Sequence, residues 1–229
     1  MDPVLNKDDA LYTQIYDILK DRIMRVEYYP GSFLTEASVA KELNTSRMPV
    51  RVAMRKLESE GWLLADFRKK IRVREITVKD VHEIYQLRQL LEVSALKEIF
   101  KKELTWEYSF KFEECLVRLK GSVNDQYQWD FHETAFHREI VKAMESDRID
   151  RIYRNNQDEL IRIGMLCNKQ PAHYEVMHAS IEAFFHAVRE KDFDKALEIL
   201  NKDHIELGYQ MGIDRIAELE KLKVRKKSG

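Results

Sequence analysis

Apolar residues recur at the 3.6-residue spacing of an α-helix through almost all of residues 79–217, and no segment there alternates convincingly between apolar and polar residues. The helical stretches are separated by breaks near 103–105, 121–125, 145–148 and 169–172. This pattern predicts an all-α bundle of about six helices. Such a bundle buries an apolar interior and can leave a pocket between its helices.

Two shorter helices are predicted at the start of the chain. Residues 10–25 place apolar side chains at helical spacing, with Asp8 or Asp9 available as the N-cap. After a break, Thr35 can cap a brief second helix over residues 36–43. The composition, with only seven Gly and four Pro in 229 residues, also suits a helix-rich protein.

A tight polar turn at residues 44–46 leads into a third helix that extends to about Gly61, with the Ser46 hydroxyl as its cap. Arg47 and Arg51 lie four residues apart and therefore project from one face. The opposite, buried face holds Val50, Ala53, Met54 and Leu57. Two short helices joined by such a turn are typical of a helix-turn-helix, in which arginines of the second helix can pair with guanine. The alternative is a solvated, charged helix face.

A short hairpin is predicted after the third helix, because residues 62–66 and 71–76 flank a polar tip at 67–70. Basic residues are concentrated between positions 45 and 74, whereas the whole chain carries a net charge of only −1. The basic set is Arg47, Arg51, Arg55, Lys56, Arg68, Lys69, Lys70, Arg72 and Arg74. This distribution favours contacts with DNA phosphates from the third helix and from the hairpin, which would act as a wing.

Residues 11–76 resemble the DNA-binding domain of GntR-type regulators, through the stretch PGSFLTEASVAKELNTSRMPVRVAMRKLESEGWL. The family pattern is PG..L.E..LA..L..SR.PVR.AL..LE.EG, and its two arginines contact operator bases or phosphates. The resemblance assigns this role to Arg47 and Arg51. The chain departs from the family at Met48, where Thr is usual, and at Lys70, where the wing tip usually has Gly. The residues predicted to contact DNA are Thr35, Thr45, Ser46, Arg47, Met48, Arg51, Lys69 and Lys70.

Three histidines lie on the predicted inward faces of the bundle helices, at His137, His178 and His204. Glu133 precedes His137 by one turn, which places a carboxylate and an imidazole on one face at a spacing that suits metal ligands. One carboxylate and three imidazoles suit Zn²⁺, with Ni²⁺, Mn²⁺ or Fe²⁺ as alternatives. A second interpretation keeps the histidines as hydrogen-bonded core residues.

This part of the chain resembles the FCD branch of the same family, an all-helical FadR-like sensor domain, through LRQLLE at 87–92 and ETAFHREIVKAM at 133–144. In that branch an Asp, the His of an FH motif and two later histidines bind a metal that helps to hold a small carboxylate effector. Glu133 stands here in place of the Asp. The family also implies that Arg88 lines the effector pocket, although Arg88 could equally form an i, i+4 pair with Glu92.

The spacing of the later histidines departs from the FCD pattern. If Lys191-Asp192 sets the register, the two histidines are expected at the positions that Ile181 and Asp203 occupy. His178 lies one turn before the first of these positions and His204 directly follows the second. The metal site is therefore either rebuilt or lost.

A length of 229 residues predicts two domains, a winged helix-turn-helix over 1–77 and the helical domain over 78–229. No apolar run approaches the roughly 18 residues of a membrane span, and the first residues lack the layout of a signal peptide. Cys115 and Cys167 have no ligand spacing and are expected to be free thiols. We therefore expect a cytoplasmic protein with no membrane partner.

These features predict a transcriptional regulator, most simply a repressor, that binds double-stranded operator DNA as a homodimer on two half-sites about one helical turn apart. A small organic acid bound in the helical domain, with a divalent metal, would shift the placement of the DNA-binding domains. Two alternatives stay open. The helical domain could serve only in dimerisation, or its histidine–carboxylate site could belong to a metal-dependent enzyme.

Overall fold

The computed structural model of the protein describes residues 11–66, 70–167 and 171–227. Two compact units are present, and their boundary lies between Ile76 and Thr77. A winged helix-turn-helix is followed by a helical bundle, which confirms the predicted mainly α fold class. Among the described helices, none combines the length and the apolarity that a bilayer span requires.

The N-terminal unit consists of three helices and a small antiparallel sheet. Its elements are α1 Leu11–Met24, β1 Phe33–Leu34, α2 Glu36–Glu42, α3 Arg47–Ser59, β2 Leu63–Asp66 and β3 Lys70–Val73. The strand order is β1-β3-β2, so the predicted two-stranded hairpin has a third strand that the sequence did not indicate. In β1, Phe33 and Leu34 pair with Arg72 and Ile71. Two residues are too few to show the alternation that predicts a strand.

The core of this unit forms where α1 packs against α3, around fully buried residues that include Ile15, Leu19, Met54 and Leu57. The apolar faces predicted for α1 and α3 are thereby confirmed. The proposed N-cap residues of α1, Asp8 and Asp9, lie outside the described residues.

Thr35 caps α2 as predicted. Its hydroxyl accepts a hydrogen bond of 3.0 Å from the Ser38 N–H, and the Ser38 hydroxyl accepts one from the Thr35 N–H. Ser46 is the N-cap residue of α3, but its exposed hydroxyl makes no capping hydrogen bond, so that detail of the prediction is wrong. At the other end, α3 stops at Ser59, and Gly61 leaves the helix with a φ of +81°.

The C-terminal unit is a bundle of six continuous helical segments within its described residues. They are α4 Val78–Lys101, α5 Thr105–Lys120, α6 Gln126–Val141 with a 3₁₀ turn Lys142–Met144, α7 Asp147–Leu166, α8 Pro171–Arg189, and a long segment formed by α9 Phe193–Ile199, a π-helix Leu200–Glu206 and α10 Leu207–Lys227. The predicted number of helices is thus confirmed. A further break, at residues 190–192, separates α8 from α9.

Helix α4 lies at the centre of this unit, since it contacts α6, α7, α10 and the π-helix. It begins at Thr77, whose hydroxyl accepts a hydrogen bond of 3.2 Å from the Asp80 N–H. The Asp80 carboxylate in turn accepts one of 2.7 Å from the Thr77 N–H. This reciprocal capping box satisfies two N–H groups at the start of the helix.

Candidate functional site

Helix α3 presents an exposed face that carries Arg47 and Arg51, while Val50 and Met54 on its other face are fully buried. The Arg51 guanidinium forms a side-on pair with Glu36 on α2, in which Nε lies 2.9 Å from Oε1 and Nη2 lies 2.9 Å from Oε2. Hydrogen bonding and charge attraction from Arg51 lower the pKa of Glu36. The two helices of the helix-turn-helix are therefore linked through an arginine that was predicted to contact DNA.

The other residues predicted to contact DNA, as far as the structure describes them, lie at exposed or half-buried positions of the same unit. Met48, on the exposed side of α3, has 63% of its surface accessible. Lys70 begins β3, and its ammonium group lies 5.7 Å from the centre of the exposed Phe33 ring. Lys69 lies outside the described residues. Thr35 and Thr45 are half-buried, the former as the cap of α2, and Ser46 is exposed.

A second candidate site lies inside the C-terminal unit, where Glu133, His137 and His204 come together. Each offers a ligand atom, and these atoms all lie within 4.8 Å of one another. His137 and His204 are almost completely buried, and their ring centres are 5.1 Å apart. Three of the four residues predicted to bind metal thus converge from α6 and from the π-helix.

Glu92 on α4 orients His137. The Nδ1 atom of His137 lies 2.9 Å from Oε2 of Glu92, and its Nε2 atom lies 3.3 Å from Oε1 of Glu133. Burial and Arg88 act to lower the pKa of His137, but the two carboxylates outweigh them and raise it. When the proton on Nδ1 is donated to Glu92, the lone pair of Nε2 faces the cluster, as in the carboxylate–histidine pairs that support metal ligands.

Glu92 is itself held by a buried network. It accepts hydrogen bonds of 2.6 Å from Nε of Arg88 and of 2.6 Å from the Tyr153 hydroxyl. Although burial opposes ionisation, Arg88 and His137 keep the pKa of Glu92 well below its usual range. The carboxylate therefore stays charged and holds Arg88, which forms the i, i+4 pair considered from the sequence.

Ser180 on α8 orients His204. The Ser180 hydroxyl lies 3.2 Å from the Asp203 carboxylate, to which it can donate, and 3.2 Å from Nε2 of His204. A hydroxyl that donates to Asp203 accepts the Nε2 proton of His204, so the lone pair remains on Nδ1. Burial and the neighbouring His137 lower the pKa of His204 to about 3, which keeps the ring neutral at pH 7. The Nδ1 atom is buried and has no hydrogen-bond partner among the described residues.

His178 does not join this cluster, in contrast to the prediction. It is half-buried and lines a separate recess with Lys120, Tyr174 and Glu175. His173, by comparison, lines the cavity beside the cluster, although it was not among the residues predicted to bind metal. At about 100° per residue, the two histidines project roughly 140° apart, from opposite edges of the buried stripe of α8.

The π-helix explains why His204 reaches the cluster one residue later than expected. A π-helix holds more residues per turn than an α-helix, so Leu200–Glu206 absorbs one surplus residue. His204 thereby takes the place that a regular helix would give to position 203. Ile181, at the other expected histidine position, is completely buried. Of the two expected histidine positions, one is thus filled by isoleucine, and His204 lies in the cluster in place of the other.

A cavity of about 40 Å³ adjoins the cluster. Polar groups reach it from Arg88, Asp130, Glu133, His173 and His204, and apolar walls come from residues that include Leu160, Ile163, Met177 and Met211. Its volume exceeds the roughly 10–15 Å³ that one water molecule requires. The cavity can therefore hold a small polar ligand next to Glu133 and His204.

The residues of the cluster fit a divalent metal. Ligands on one tetrahedral ion stand about 3.5 Å apart at bond lengths of about 2.1 Å, so the three groups need to close by roughly 1 Å. The orphaned Nδ1 atom of His204 is the observation that favours a ligand, because a buried polar atom without a partner is costly. Three protein ligands leave a further coordination position open. Sequence reasoning missed Ser180, His173 and the orienting role of Glu92, because only packing from other helices brings them to the site.

An N-terminal winged helix-turn-helix with an arginine-bearing second helix, joined to a helical unit with a polar cavity, defines the class of two-unit transcriptional regulators. Family models agree. Residues 11–73 match "Bacterial regulatory proteins, gntR family", and residues 83–206 match "FCD domain". The chain belongs to the GntR family of bacterial regulatory proteins, in the branch that carries an FCD domain.

Individual relatives are consistent with this family. A Bacillus subtilis protein named HTH-type transcriptional regulator YdhC is 40% identical over 44% of this chain and 47% of its own length. The gluconate operon transcriptional repressor of the same organism is 31% identical over 60% of this chain and 56% of its own length. The chain thus spans about half the length of these curated relatives.

Solved structures share the fold. A GntR regulator from Rhodococcus sp. RHA1 has a TM-score of 0.72 at 19% identity, over 87% of this chain and 96% of its own. Escherichia coli McbR/YncC has a TM-score of 0.66 at 20% identity, over 88% of this chain and 98% of its own. Since the family and the relatives are regulators, the metal-dependent enzyme considered from the sequence is set aside.

Proposed function

We propose that this protein is a transcriptional repressor that binds operator DNA through α3 and the wing, and responds to a small organic acid held with a divalent metal in the helical unit. The observation that carries the proposal is the group of the half-buried Glu133 and the buried His137 and His204 beside a polar cavity. An ion bound by these residues would supply an open position for an effector carboxylate. Zn²⁺ suits two imidazoles and a carboxylate, and Mn²⁺, Fe²⁺ and Ni²⁺ are the alternatives.

DNA binding is tested by selection of duplexes from a random pool with the full chain. Arg51→Ala should weaken binding to the selected operator by about 10-fold or more, because a bidentate base contact is worth about 1–3 kcal/mol. Arg25→Ala is the matched control, since it removes the same charge from a residue that pairs with Asp21 on α1. Equal loss in both variants would refute the assignment of Arg51 to the DNA surface.

Metal binding is tested by calorimetric titration of the metal-stripped full chain with ZnCl₂. We expect one ion per chain in the wild type, loss of binding in His204→Ala and unchanged binding in His178→Ala, because only His204 belongs to the cluster. Loss of binding in His178→Ala alone would overturn the ligand set. A wild type that binds no ion would refute the metal site and assign the histidines to the hydrogen-bonded core.

The effector and the dimer are tested on the same operator. Small carboxylic acids, including gluconate because one relative is named for the gluconate operon, are added to a labelled operator complex with and without Zn²⁺. Release that requires both the acid and the metal supports the proposal. Homodimers should protect two half-sites about one helical turn apart, whereas protection of a single half-site would contradict that assembly.

A further inference from the structure

Arg51 differs from the other arginines on the exposed face of α3. Arg47 and Arg55 lie one helical turn before and after it, and the charge of each also attracts Glu36. Neither, however, forms a hydrogen bond or an ion pair with any residue that the structure describes. Arg51 alone of the three is paired, through two hydrogen bonds to Glu36. The side chains of Arg51 and Glu36 nevertheless stay 44% and 30% accessible. The pair therefore lies at the surface that the proposed function places against DNA.

The geometry of the pair leaves one edge of the guanidinium available. A guanidinium carries five N–H groups, and Glu36 accepts one from Nε and one from Nη2. The remaining N–H groups, two on Nη1 and one on Nη2, form the outer edge of the fork. The N–H groups of this edge are spaced so that they can donate simultaneously to O6 and N7 of guanine in the major groove.

The carboxylate also changes what the arginine can bind. An unpaired arginine is attracted to phosphates all along the duplex, and such contacts carry no sequence information. Glu36 compensates the charge of Arg51 and restricts its rotamers, which reduces the entropy lost on binding. Both effects favour a directional contact with one base over a phosphate contact.

We propose that Glu36 is a specificity-determining residue that positions Arg51 to read a guanine of the operator. The inference rests on the proposed function, in which α3 enters the major groove. It assigns base reading to Arg51 and phosphate contacts to the unpaired Arg47 and Arg55. A pair that only linked α2 to α3 would be worth little, since exposed ion pairs contribute about 0–1 kcal/mol.

The test compares Glu36→Gln with Glu42→Gln in the full chain. Both changes remove one negative charge from α2, but Glu42 pairs with Arg22 and Tyr28 rather than with α3. Affinities are measured for the selected operator and for a random duplex of equal length, at several salt concentrations. Thermal unfolding confirms that each variant is folded.

For Glu36→Gln we expect opposite changes on the two DNAs. Operator affinity falls about 10-fold, while affinity for the random duplex rises and its salt dependence steepens by about one phosphate contact. A new selection should lose its preference at the guanine that Arg51→Ala also relaxes. Glu42→Gln should leave the ratio of the two affinities unchanged.

Two outcomes would overturn the inference. If Glu36→Gln strengthened binding to both DNAs equally, the carboxylate would act only through its charge. If Glu42→Gln lowered the ratio of operator affinity to random-duplex affinity as much as Glu36→Gln, the pairing of Glu36 with Arg51 would have no role in specificity. A wild type without sequence preference would refute the proposed function itself, and with it the inference, so the wild-type measurement separates the two failures.

Discussion

Glu92→Gln tests the buried network that orients His137. The change removes a completely buried charge that Arg88, Tyr153 and His137 all contact at 2.6–2.9 Å. Removal of one partner from a buried ion pair costs about 3–5 kcal/mol, because the other charge stays buried without compensation. The same change leaves one neutral carboxamide oxygen where two carboxylate oxygens face Arg88, Tyr153 and His137, so His137 loses its charged acceptor. The loss of such a support lowers metal affinity by about 10–100-fold.

The assay is urea unfolding of the metal-free full chain, followed by titration with ZnCl₂. Tyr153→Phe is the matched control, because it removes one hydrogen bond to Glu92 and leaves the charge in place, at a cost of about 1.5–3 kcal/mol. The free energy of unfolding of the helical unit should fall more in Glu92→Gln than in Tyr153→Phe. Stability within about 1 kcal/mol of the wild type and unchanged Zn²⁺ affinity would refute the reasoning.

The pH dependence gives this prediction a definite sign. The pKa of Glu92 is lowered from its ordinary value of 4.5, so the folded protein binds fewer protons at this group than the unfolded chain. Its contribution to stability is therefore present above pH 4.5 and declines progressively as the pH falls below that value. The difference in stability between wild type and Glu92→Gln should shrink on acidification from pH 4.5 to about pH 3, a range in which His137 is protonated in both the folded and the unfolded wild type. A difference that grew would contradict the assigned charge state.

Three further predictions concern the helical unit. Gly164→Ala should destabilise the protein by about 1–3 kcal/mol in urea unfolding, because the added methyl group would lie 2.6 Å from a buried carboxylate oxygen of α6, and an unchanged midpoint would contradict this. Deletion of Lys202 removes the surplus residue before His204 and should preserve Zn²⁺ binding. Deletion of Glu206, which follows His204, should turn the His204 ring about 100° away from the cluster and abolish Zn²⁺ binding. Equal Zn²⁺ binding in both variants would refute the register argument. Asp150→Asn should lower the free energy of unfolding by about 0.5–1 kcal/mol at pH 7, since its pair with an arginine of α6 is partly exposed. Because the pKa of Asp150 is lowered, this loss should vanish as the pH falls below 3.8. A loss of stability that persisted at pH 2 would point to another cause.

Local patterns were sufficient to predict the helices of the fold and its hairpin. The helical spacing of apolar residues located α1, α3 and the bundle helices, and Thr35 identified the start of α2. Short elements carried too little pattern, so β1 was missed. The absent side-chain cap at Ser46 depends on a rotamer, which the residue type does not determine.

The candidate site was only partly predictable because it depends on register between distant helices. Glu133 and His137 share one helix, and their spacing alone predicts that they are adjacent. His204 reaches them through a π-helix, which apolar periodicity does not reveal. His178 was predicted to bind metal in preference to His173, and this was wrong, because other helices set the surroundings of the two flanks of α8 on which these histidines lie.

The capping box at Thr77 has a consequence for how such chains can be recombined. Both of its residues, Thr77 and Asp80, lie on the C-terminal side of the boundary after Ile76. A junction at that boundary would therefore leave both hydrogen bonds of the capping box uncut. The helical unit contains the N-terminal capping box of α4, so gene fusions that exchange the DNA-binding unit at this point leave the capping box of the first turn of α4 intact.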